Sequence, residues 1–150
     1  MENGLVDSKY QMFEHNAYNL LKSENPFTTI RNPIDCIPSA IIKYESKHED
    51  RIERFVEWYL DFYSQCLNKN CTIILFEKLI DSPKKIFNNL ANILNIKNHK
   101  FNEINYLLGE KNKTPICYNK EIFLLKKEIY KSNSVLDAIK LFNNLKLKSI

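Results

Sequence analysis

Only two glycines, Gly4 and Gly109, occur in 150 residues, and no other feature constrains the fold as strongly. Sandwiches and barrels need many tight turns, and tight turns draw on glycine for its freedom at positive φ. The chain is therefore expected to be helix-rich. Its length suits one domain, residues 1–150, and nine phenylalanines and eight tyrosines lead to the expectation of a real core. The net charge of +4 comes mostly from lysine, since Arg31, Arg51 and Arg54 are the only arginines. Lysines interleaved with Asp and Glu describe a solvated surface, and the mild excess suits an anionic ligand. No dense basic tract points to nucleic acid.

Neither a signal peptide nor an apolar run of membrane-spanning length is present. The four cysteines (Cys36, Cys66, Cys71, Cys117) form no Cys-x-x-Cys pair and no His/Cys metal spacing. Cys66 and Cys71 read as small buried hydrophobes. These features predict a reducing, cytoplasmic setting without membrane, nucleic acid or metal as partner.

Along the chain, residues 9–15 fit a short strand followed by helical turns. One helix from Tyr10 to Leu21 fits equally well. After Asn25-Pro26 comes a strand over 27–31. A helix capped by Asp35 then runs to about Glu45, with Pro38 at its third position and Ile37, Ile41 and Ile42 on its buried face. From Glu49 to Leu67, apolar residues from Ile52 to Cys66 keep helical spacing, and Trp58, Tyr59 and Tyr63 read as core rather than pocket lining. Cys71 to Phe76 is a nearly unbroken apolar run, as in a parallel strand buried on both faces. Ser82-Pro83 opens a helix carrying Ile86, Phe87, Leu90, Ile93 and Leu94 on one stripe. A short helix over 102–108, a polar loop over 109–118 and helices over 119–131 and 134–146 complete the chain. The order predicts an α/β fold, a small parallel sheet flanked by helices with a helix-rich C-terminal half.

The segment Phe27-Thr-Thr-Ile-Arg-Asn-Pro-Ile-Asp-Cys-Ile-Pro-Ser39 carries the chemistry. It places Arg31 at the carboxyl end of a strand and Ser39 in the first turns of the next helix. Both then face the crevice where open α/β sheets bind ligands. A guanidinium fork matches phosphate, and a helix start adds free N–H groups and a favourable dipole. The segment reads as a phosphate clamp.

These residues resemble the sulfotransferase family, in which a strand ends in Arg-x-Pro-x-Asp-x-x-x-Ser. Arg31, Pro33, Asp35 and Ser39 match each fixed position. A second block is similar to the family's strand, E-x-L turn and D-P helix start: Leu75-Phe-Glu-Lys-Leu79, then Asp81-Ser-Pro83, then the stripe to Ile96. The resemblance covers roughly residues 10–96 and implies a P-loop-type sulfotransferase fold. It also implies transfer of a sulfuryl group from 3′-phosphoadenosine 5′-phosphosulfate to an acceptor hydroxyl, with Arg31 and Ser39 holding the 3′-phosphate. His15, upstream of the Arg31 strand, would be the general base that takes the hydroxyl proton.

The family's Gly-containing loop for the 5′-phosphosulfate, whose bare backbone surrounds the phosphate, has no counterpart here. Gly4 has no strand before it, and Lys111, Lys113 and Thr114 are the nearest substitute for a later basic loop. The resemblance thus implies a family member lacking its first third, with little turnover as an isolated chain. A non-catalytic nucleotide-binding or protein-interaction module of the same fold is the alternative. Its open sheet edge would then be covered by a homo-oligomer or by a partner chain supplying the missing part.

Overall fold

The computed structural model describes residues 22, 24–44, 49–96 and 119–150. Two strands and six helices follow one another within them: β1 (Phe27–Ile30), α1 (Pro33–Lys43), α2 (Arg51–Asn68), β2 (Thr72–Leu75), α3 (Phe76–Asp81), α4 (Pro83–Ile93), α5 (Asn119–Ile129) and α6 (Val135–Leu147). The expected α/β arrangement with a small parallel sheet is present, and it is mostly helical. The elements expected over 9–15, Tyr10–Leu21, 102–108 and 109–118 lie outside the described residues.

β1 and β2 pair in parallel, with Phe27 opposite Thr72 and Ile30 opposite Leu75. Pleating sends successive side chains to opposite faces. Ile30, Ile73 and Leu75 enter the main core with Ile37 and Ile41 of α1, Val56, Tyr59, Tyr63 and Cys66 of α2, and residues of α5 and α6. Ile74 points the other way and packs on Ile86 and Leu90 of α4. This double burial is why β2 reads as an apolar run rather than an alternating one. The strand stops at Leu75, and Phe76 opens the six-residue helix α3, where the sequence suggested strand and turn.

Among the described residues, each sheet edge is met by something other than a strand. With Thr29 in register with Ile74, the carbonyls of Thr29 and Arg31 face away from β2. They accept the Tyr63 hydroxyl at 2.8 Å and the Tyr59 hydroxyl at 3.0 Å. On the far side, the Ile73 carbonyl accepts the Ile150 N–H at 3.0 Å.

Helix α1 begins earlier than its sequence suggests. The cap is Asn32, whose side-chain oxygen accepts the Ile34 N–H at 3.0 Å, and Pro33 takes the first helical position, where a missing N–H costs nothing. Asp35 therefore lies inside the first turn, and Pro38 is the sixth helical residue rather than the third. Having no N–H, Pro38 cannot donate to the Ile34 carbonyl, but its ring is buried in the core. Trp58 also departs from expectation: Tyr59 and Tyr63 are core, whereas Trp58 is 40 % exposed, edge-on to Phe55 and stacked on Phe62.

Two helices end in the same way. Asn70 (φ 53°) and Asn95 (φ 59°) adopt the left-handed conformation just beyond α2 and α4. In each case the following N–H reaches back five residues, Cys71 to the Cys66 carbonyl at 3.0 Å and Ile96 to the Ala91 carbonyl at 2.8 Å. The asparagine N–H groups reach Leu67 and Asn92 at 3.2 Å, which completes a Schellman motif at both ends.

Candidate functional site

Because Ile30 faces Leu75, the next residues, Arg31 and Phe76, leave the carboxyl ends of the two strands side by side. The Arg31 guanidinium carbon lies 5.0 Å from the centre of the Phe76 ring, a cation–π contact. The Arg31 carbonyl holds the Tyr59 hydroxyl and, more weakly, the Cys36 thiol at 3.9 Å. Its main chain is thus fixed by α2 and α1, and its side chain rests on the first residue after β2.

The start of α1 does not present the free N–H groups expected of it. Pro33 has none, Ile34 donates to the Asn32 side chain, and Asp35 and Cys36 both donate to the Asn32 carbonyl, at 2.9 and 3.0 Å. Asp35 adds a carboxylate to this first turn and pairs with Lys126 of α5. Ser39, one turn on, donates its hydroxyl to the Asp35 carbonyl at 3.0 Å. A hydroxyl has a single proton, so Ser39 must release that carbonyl before it can donate to a phosphate oxygen. Among the described residues no hydrogen bond joins Arg31 to Ser39. His15, Lys111 and Lys113 lie outside the described residues.

The charges around the strand ends balance. Arg31 and Lys126 supply two positive charges, and Asp35 and Glu77 supply two negative ones. Cys36, set among them, is pushed up to about 12 by burial, with the Arg31 guanidinium pulling down and the Asp35 and Glu77 carboxylates pushing up. It is a neutral thiol near pH 7. Burial, aided by Tyr63, Cys36 and Glu77, holds the Tyr59 phenol far above its ordinary value, so it remains a donor to Arg31. Among the described residues no group of His, Cys, Asp and Glu is gathered so as to hold a metal ion, and no helix is long and apolar enough to cross a membrane.

Comparison with protein-family models, with curated proteins and with solved structures finds no match to this chain in any of the three.

From the sequence, Arg31 and Ser39 were expected at this site and Tyr59 in the core, while Asn32, Phe76 and Lys126 were given no part in it. The Asn32-Pro33 pair, cap then first helical residue, was a readable signal. The Phe76 and Lys126 contacts had none, because they depend on strand register and on where α5 docks.

Proposed function

We propose that this chain is a sulfotransferase-like nucleotide-binding protein in which Arg31 receives the 3′-phosphate of 3′-phosphoadenosine 5′-phosphosulfate. The observation that carries the proposal is the placement of Arg31: a half-buried guanidinium, steadied by Phe76, at the carboxyl end of a parallel strand pair. Ligands of open α/β sheets bind at that end. Lys126 neutralises Asp35, which lowers the repulsion an arriving phosphate would meet at the start of α1. Ser39 would then swing from the Asp35 carbonyl to the phosphate as a second donor.

In the full reaction an acceptor hydroxyl would attack sulfur in line with the departing 5′-phosphate, and His15 would take the hydroxyl proton. Donors on that leaving phosphate usually supply the largest share of catalysis. The described residues contain no Gly-rich loop to provide them. Nucleotide binding without efficient turnover is accordingly the activity proposed for this chain.

Isothermal titration with adenosine 3′,5′-bisphosphate tests it. Saturable heat is expected, and Arg31→Ala should weaken binding by roughly 10- to 100-fold, the worth of one or two charge-assisted hydrogen bonds. Ser39→Ala should have a smaller effect. Absence of heat, or an Arg31→Ala variant that binds as the parent does, would rule the clamp out.

A further inference from the structure

The two Schellman motifs have the same geometry but different side chains. This motif brings together the residue just past the left-handed one and the residue five before it, and an apolar pair normally meets there. At the end of α4 that pair is Ala91 and Ile96. At the end of α2 it is Cys66 and Cys71, so two thiols occupy the positions that the motif brings together. The main-chain bond of 3.0 Å between these two residues holds their backbones together. A disulfide needs Cα atoms within about 4.4–6.8 Å, and a six-residue turn closed by such a bond suits that span.

We propose that Cys66 and Cys71 form a reversible dithiol–disulfide site whose co-reactant is a low-molecular-weight disulfide of the glutathione class. The two thiols differ as such a site requires. Cys71 is half-buried and reachable, whereas Cys66 is fully enclosed by the core. The neighbouring Cys66 thiol, and then the Lys69 charge, lower the Cys71 thiol, while the Cys71 sulfur and burial raise Cys66. Thiolate, the attacking form, therefore collects on the exposed member.

The Cys71 thiolate attacks one sulfur of the small disulfide and expels the other as a thiolate, leaving a mixed disulfide on Cys71. Cys66 passes its proton to the expelled thiolate, and its sulfur attacks the Cys71 sulfur, which releases the second small thiolate to be protonated from water. In total two protein S–H bonds and one small-molecule S–S bond are replaced by one protein S–S bond and two small thiols. The closed bridge ties the last turn of α2 to the first residue before β2. This proposal is independent of nucleotide binding at Arg31.

The test uses the folded full chain carrying Cys36→Ser and Cys117→Ser, equilibrated in glutathione buffers of increasing oxidised fraction. Loss of both titratable thiols in one step is expected, with a Cys66–Cys71 linked peptide by mass spectrometry and full recovery on reduction. Cys66→Ala should instead trap a glutathione adduct on Cys71. If the double serine variant does not fold, peptide mapping of the unsubstituted chain in the same buffers serves. Two thiols that stay titratable, a Cys71 adduct that persists with Cys66 present, or a bridge formed only in denaturant would overturn the proposal.

Discussion

Tyr59 and Tyr63 put their rings in the core and their hydroxyls on main-chain carbonyls of Arg31 and Thr29. A phenol buried in this way is a hydrophobe with one obligation, and removing the oxygen leaves its carbonyl only a long, weak donor, the Cys36 thiol on Arg31 or the Thr28 hydroxyl on Thr29. Tyr63→Phe and Tyr59→Phe should each cost about 1–3 kcal/mol, read as a lowered urea midpoint at unchanged slope. The two should separate in a second measurement. Tyr59→Phe also loosens the backbone that aims the Arg31 guanidinium, so it should weaken adenosine 3′,5′-bisphosphate binding, whereas Tyr63→Phe should not. Equal loss of affinity in both variants would mean that the phenols act only through stability. From sequence these tyrosines were legible as core by their spacing. Their hydroxyl partners were not, because a donor's target across 28 or 34 residues follows from packing alone.

Elements were read best where periodicity and punctuation agree. α2 and α4 fall within one to three residues of their expected bounds, the first through its apolar spacing and the second through Ser82-Pro83. α1 was displaced because Asp35 attracted the cap assignment that Asn32 holds, and two prolines close together blurred its first turn. At the start of α6 the capping residue is turned to another element. Ser134, the residue in the capping position, donates its hydroxyl to Glu53 of α2 at 2.8 Å instead of capping its own helix. The Ser132 and Ser134 hydroxyls hold that carboxylate below the usual carboxylate range. A group with a depressed folded-state pKa stabilises fully above its unfolded value, here 4.5, and loses that contribution as pH falls through the folded value. Thermal melts of Glu53→Gln and the parent should therefore differ most near neutral pH and converge in acid. A constant gap down to about pH 3 would show that the carboxylate charge is not what α6 uses.

On the scale of the molecule, a two-stranded sheet is covered by four helices on one face and by α4 on the other. The parallel pairing was legible because Cys71–Phe76 is too uniformly apolar for a half-exposed strand. The approach of α5 to Asp35 was not, since the Asp35–Lys126 pair joins residues 91 apart. Adenosine 3′,5′-bisphosphate bound only to the folded chain should stabilise it by about 2.7 kcal/mol at one hundred times its dissociation constant. That should raise the melting temperature by several degrees, at roughly 2–4 °C per kcal/mol for a chain of this size. An unshifted melt at saturating nucleotide would count against binding to the native fold. The rise of α2 over the four residues from Tyr59 to Tyr63 is about 6 Å. The two residues from Thr29 to Arg31 span about 6.6 Å of strand. The two repeats are nearly commensurate, and ascending numbers on the helix meet descending numbers on the strand. From its place over the sheet face, the helix thus reaches two alternate carbonyls of the β1 edge with side chains, where an antiparallel strand would use amides. A further strand pairing with β1 at Thr29 and Arg31 would have to unseat both phenols, so the same two hydroxyls that fix the strand also guard its edge.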